Sequence, residues 1–148
     1  MLRKEQRESR RPAACLASCA IMAKKLNVNG LKKAISTNSV AMYYADWCGY
    51  CKSMKPEYTA LAEEAKKALP DVHVTRFNMD KHSAAVASQR IGQEQFGVTV
   101  SDDVRGFPTV IMYKKDGTRS LYKGPRTKEA MMSTMMAYYG APEEARAK

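Results

Sequence analysis

The sequence predicts an α/β fold: a mixed sheet whose first strands run parallel and whose last two run antiparallel, covered by helices. Three observations predict it. Short apolar runs bounded by polar residues, such as Ser39 to Ala45, read as strands buried on both faces. Longer segments with apolar residues at helical spacing alternate with them, which favours parallel pairing through crossovers. A Lys115-Asp116-Gly117-Thr118 turn between two late strands signals an antiparallel hairpin.

Taken in order, the chain opens on a basic arm. Residues 1–37 carry nine basic and two acidic residues, so +7 of the total +10 charge falls there. Pro12 suits a first helical position, and a short helix from it would dock Leu16, Cys19 and Ile21. The same segment has the outline of a secretory signal, with Ser18-Cys19-Ala20 as a cleavage site. Its apolar part is Ala-rich and its basic part long, so a retained arm is expected, inside the cell or in an assembly rather than secreted. From Leu26 the character changes, and Leu31, Ala34 and Ile35 fit a helix ending near Thr37. The strand 39–45 follows, then a helix from Cys48 to Leu69 with Met54, Tyr58, Leu61, Ala62 and Ala65 on one face. Pro56 lies inside it and should bend it. Val72 to Asn78 alternates as a strand, 83–91 reads as a helix, and Gly92 to Asp103 as a loop. Strands at Thr109–Tyr113 and Arg119–Tyr122 flank the hairpin turn, and a last helix runs from a Thr127 cap to Tyr139, with Gly140 to end it. The organisation is therefore an arm over 1–25, a domain over 26–140 and a tail over 141–148.

Composition narrows the function. A chain of 148 residues suits one domain, which buries roughly 70% of its unfolded surface. Its 45% hydrophobic content excludes a wholly disordered chain. The longest uncharged apolar stretch, Pro12 to Ala23, falls short of the ~20 residues of a spanning helix, so no transmembrane segment is expected. Four cysteines are too few for a disulfide-dense scaffold, and their spacing matters more than their number.

Trp47-Cys48-Gly49-Tyr50-Cys51 stands between an apolar strand and a helix. A thiol at a helix N-terminus faces unpaired N–H groups and the positive dipole end, which favour its thiolate. Cys48 is thus the expected exposed nucleophile, and Cys51, one turn deeper, is close enough to close a redox disulfide with it. Gly49 would permit the tight turn, and Trp47 would shield one side while leaving Cys48 accessible. A zinc site shared with Cys15 and Cys19 is disfavoured by the unusual second spacing. Haem attachment needs His where Lys52 stands. A purely structural bridge across so small a ring would be strained and easily reduced. Cys15 and Cys19, at i and i+4, sit ~5–6 Å apart on a helix. A disulfide needs ~3.5–4.5 Å, so buried packing is favoured for them over an inter-chain crosslink. Met131, Met132, Met135 and Met136 read as core and flank.

Ala45-Asp46-Trp47-Cys48-Gly49-Tyr50-Cys51 with Met54-Lys55-Pro56, then Asn78-Met79-Asp80, then Val104-Arg105-Gly106-Phe107-Pro108-Thr109, together resemble a thioredoxin domain. The Tyr122-Lys123-Gly124-Pro125-Arg126-Thr127 segment is similar to that of protein disulfide isomerase domains. The resemblance covers about residues 26–139. It implies a thioredoxin-like fold with a central sheet of four or five strands, and a cis Pro108 facing the cysteine pair. It implies that Trp47, Gly49, Tyr50, Phe107 and Pro108 contact substrate, and that Arg126 swings toward the buried Cys51. Arg126 as a plain helix-start cation stays open. The implied activity is thiol–disulfide exchange on protein substrates, with no cofactor beyond a partner thiol or disulfide and no metal.

Three departures qualify it. Met42 stands six residues before Cys48, where the family usually has a buried acid that relays a proton from the second cysteine. The central dipeptide is Gly-Tyr rather than Gly-Pro or Gly-His. The stretch from Gln89 to Asp103 is longer than the family norm. A second reading makes the fold a structural or tethering component of a large assembly, an organelle complex or virus particle. Residues 1–25 would then bind an acidic protein surface; nucleic acid is not expected as the partner.

Overall fold

The computed structural model describes residues 23–140. Residues 1–22 of the arm, with the Pro12 helix, Cys15 and Cys19, and the tail lie outside the described residues. Ala23 is already buried, and Lys24–Leu26 form strand β1. The sheet therefore begins inside the segment expected to be arm, and the boundary at residue 26 moves forward. Asn27 caps helix α1 (Val28–Ala34), its side chain accepting the Gly30 amide at 2.7 Å. Strand β2 (Ser39–Tyr44) is buried at all six positions, as its nearly uncharged sequence requires. Helix α2 (Gly49–Ala68) runs unbroken through Pro56. Strand β3 (His73–Asn78) leads into helix α3 (Met79–Ser88), four residues earlier than the expected start at 83 and capped by Asn78.

The stretch expected as a loop holds two single-turn helices, α4 (Gln93–Phe96) and α5 (Val100–Asp103). Gly92 enters α4 at φ +97°, and Thr99 and Asp102 form a capping box on α5. Strands β4 (Thr109–Tyr113) and β5 (Arg119–Tyr122) make the hairpin. Thr127 caps helix α6 (Lys128–Met135), which ends in a π-helical turn over Met136–Gly140.

The five strands lie in the order β1-β3-β2-β4-β5. β3 pairs parallel with both β1 and β2, while β4 runs antiparallel to β2 and β5. The period of two along β2 divides the core. Val40, Met42 and Tyr44 face α2 and α6, meeting Met54, Leu61, Met131 and Met135. Ala41 and Tyr43 face the other layer, meeting Leu31 of α1, Val86 of α3 and Val100 of α5. Tyr58 of α2 ties its layer to the sheet by donating to the Val40 and Thr75 carbonyls. On the opposite side the Tyr43 and Tyr113 hydroxyls bond each other at 2.7 Å. Arg119 of β5 grips the Asp103 carboxylate with Nε at 2.6 Å and Nη2 at 2.9 Å, fastening α5 to the sheet edge.

Candidate active site

The cysteine pair is built where β2 stops. Its last residue is Tyr44, and the Cys48 amide then donates to the Ala45 carbonyl at 3.1 Å, closing a tight turn. Cys48 is the N-cap of α2: its carbonyl accepts the Lys52 amide, and its Sγ accepts the Cys51 amide at 3.2 Å. The sulfur takes the place a Ser or Asp oxygen usually occupies, at the positive end of a 20-residue helix. Both cysteines are free thiols in this structure.

Two expectations are corrected. Cys48 is 4% exposed, not an open nucleophile, because its side chain turns back under the helix end and joins the apolar cluster of Ala45, Cys51 and Met54. Exposure belongs instead to its neighbours Trp47 (67%) and Tyr50 (72%). Gly49 is not demanded by the turn, since its φ is ordinary and a Cβ there would meet nothing within 4 Å.

The segment before β4 brings a second turn against Trp47. The Phe107–Pro108 peptide is cis, and the Phe107 ring stands edge-on to Trp47 at 5.7 Å between centroids. Trp47 and Phe107, separate in sequence, thus close one rim. Arg126, exposed in the loop before α6, sets its guanidinium 5.9 Å from the Tyr50 ring centroid. Pro108, Val110, Tyr122, Lys123, Gly124, Pro125 and Arg126 line a groove of about 340 Å³ beside this rim. Lys123 and Pro125 were not singled out as site residues by the sequence. Their place in the Lys-Gly-Pro-Arg run after the last strand is the signal that marks them.

The thiol of Cys51 is pushed up to about 12, first by burial and next by its hydrogen bond with Cys48. The Ala45 backbone and the Arg126 charge oppose this. Met42 is buried on β2 in the same apolar cluster as Cys51, with Arg76 of β3 and Val110 of β4 as its register partners. Arg76 turns to the Tyr44 hydroxyl and lies over its ring. Asp46 pairs with Lys81 at the surface, and Glu57 accepts the Lys128 amide at 2.7 Å, tying the start of α6 to α2. Among the described residues no group of three His, Cys, Asp or Glu is placed to hold a metal, and no helix is long and apolar enough to cross a membrane.

The family model for thioredoxin matches residues 22–137. The mouse protein disulfide-isomerase A4 is 30% identical over 102 residues, which cover 69% of this chain and 14% of that protein. The Arabidopsis thaliana protein disulfide isomerase-like 1-3 is 30% identical over 112 residues, covering 73% of this chain and 16% of its own length. The chain thus spans a small part of these relatives. The solution structure of the first thioredoxin domain of mouse protein disulfide-isomerase A4 superposes with a TM-score of 0.59 at 26% identity, covering 76% of this chain and 72% of that one. A family model spanning most of the chain, on a five-stranded mixed sheet of this connectivity, leaves one conclusion: the chain belongs to the thioredoxin family.

Proposed function

We propose that the chain is a thiol–disulfide oxidoreductase of the disulfide isomerase type, working through the Cys48-Gly49-Tyr50-Cys51 pair. The observation that carries this reading is the Cys48 sulfur at the N-cap of α2, accepting the Cys51 amide. A helix N-terminus and a donated N–H favour negative charge on sulfur, and the thiolate is the attacking species.

In the reducing direction Cys48, as thiolate, attacks one sulfur of a substrate disulfide. A mixed disulfide forms and the other substrate sulfur leaves as thiolate. Cys51, deprotonated in turn, attacks the Cys48 sulfur, and the second substrate thiolate leaves. Two electrons pass to the substrate, the two protons end on its thiols, and Cys48–Cys51 becomes a disulfide. A low-molecular-weight thiol reverses that last state; running the sequence backwards oxidises a substrate dithiol. Trp47, Tyr50, Phe107 and Pro108 serve as the surface on which the substrate chain lies, and Arg126 supports the Cys51 thiolate. With Met42 in place of an acid and Tyr50 between the cysteines, the expected reduction potential lies above the ~−270 mV of thioredoxin.

The test is a trap. Cys51→Ala should retain a substrate protein on Cys48 as a reducible mixed disulfide, while Cys48→Ala should retain none. If Cys51→Ala captures nothing from a reduced and reoxidised substrate such as insulin, the reading fails.

A further inference from the structure

The groove beside Pro108 carries charge of one sign. Lys123 and Arg126 line it, and both are exposed. Arg105, two residues before the Phe107 that packs on Trp47, is exposed as well, its guanidinium held by the Asp102 carbonyl rather than by a carboxylate. Lys52, directly after Cys51, adds a fourth exposed cation. Of the carboxylates nearby, Asp46 pairs with Lys81 and Asp103 with Arg119, while Glu57 accepts the Lys128 amide and Asp102 the Thr99 amide. Two aromatic rings are exposed beside the cysteines, Trp47 and Tyr50, and Arg126 lies over the second.

We infer that this face selects protein segments whose exchanging cysteine is flanked by acidic residues together with an apolar one. The inference rests on the exchange reading above and adds the substrate class to it. The apolar residue covers Trp47 and Phe107, and the carboxylates meet Lys123 and Arg126 in the groove. An exposed ion pair changes a rate or affinity by a factor of about 1.4 to 5, about threefold at mid-range, so two such contacts give roughly tenfold.

Three synthetic peptides with one intramolecular disulfide and the same apolar residue test it, with flanks of Glu/Asp, Lys/Arg or Ser. The full-length reduced protein is mixed with each, and the second-order rate of disulfide loss is measured. The acidic peptide should react about tenfold faster than the basic one at low ionic strength. In 1 M salt, where the screening length is ~3 Å, the ratio should fall to near one. In an R105E/K123E variant the ratio should fall below about two. Lys52, Arg126 and residues 1–22 keep their charge in that variant, so a ratio that stays near tenfold shows that Lys123 and Arg105 do not select and overturns the proposal. Equal wild-type rates for all three peptides overturn it while leaving the exchange chemistry standing. Failure of the wild type to reduce any peptide that dithiothreitol reduces removes both. Trp47 is the single tryptophan of the chain, so its fluorescence reports occupancy directly. If phosphatidylserine vesicles change it and the acidic peptide does not, the face is a membrane contact and the proposal is wrong.

Discussion

If Cys51 must lose its proton without a neighbouring acid, resolution of the mixed disulfide should depend steeply on pH. In the reduced protein the Cys51 thiol is pushed up to about 12, with burial as the first cause. Once Cys48 is bound to substrate it is no longer a thiol, so the part of the shift that comes from it falls away while burial persists. Burial then still holds the thiol above the ordinary value of ~8.5, with the reduced protein's value of about 12 as the upper bound. At pH 7 the attacking thiolate is about one molecule in 30 at the lower bound and about one in 100,000 at the upper. Either bound gives the same sign. Raising the pH raises the thiolate fraction about five- to tenfold per unit up to about pH 8.5. The assay mixes reduced protein with excess disulfide peptide, quenches with acid at intervals, and counts the mixed disulfide by mass spectrometry. Between pH 6.5 and 8.5 its decay should quicken by about 50- to 100-fold. Met42→Glu, which places a carboxyl in the buried cluster that also holds Cys51, should flatten that slope if the variant keeps its fold by circular dichroism. A wild-type decay rate that is flat over the same range would mean another group already takes the proton, and the argument from Met42 would be refuted.

Other perturbations probe the frame around the site. Tyr58→Phe removes the donor to the Val40 and Thr75 carbonyls and should cost about 1–2 kcal/mol in urea unfolding. Arg119→Ala strands the Asp103 carboxylate, 11% exposed, and should cost about 2–3 kcal/mol; the double variant with Asp103→Ala should recover part of the loss. Gly92→Ala forces a side chain into φ +97° with its Cβ 3.2 Å from the Val100 amide, and should lower stability by about 2 kcal/mol. Thr127→Ala removes the cap on the Ala130 amide and should cost about 1 kcal/mol.

Most of the sheet was legible because burial leaves a plain mark. β2 is apolar over six residues since helices cover both its faces, and Asp116-Gly117 announces the hairpin with Gly117 at φ +92°. β1 left no such mark. Two of its three residues are exposed lysines, and a strand that short has no period to read. α4 and α5 are single turns held by Gly92 and a capping box, below the length at which helical spacing shows. The junction of apolar strand and helix marked Cys48 and Cys51 as residues of a helix start, which is where they stand. The depth of Cys48 depends on how its side chain turns under the helix end, and Lys123 joins the groove only through the fold. Those are properties of packing between segments that are distant in the chain.

Glu57 deserves a last consequence. By accepting the Lys128 amide it fastens the loop carrying Lys123 and Arg126 to the helix that presents the cysteines. In the proposed exchange, the groove that meets the incoming chain and the cysteine that attacks it are mounted on one chassis. Anyone grafting a different 123–126 segment to retarget this domain should transplant the carboxylate at 57 along with it, or the new selector will drift out of aim.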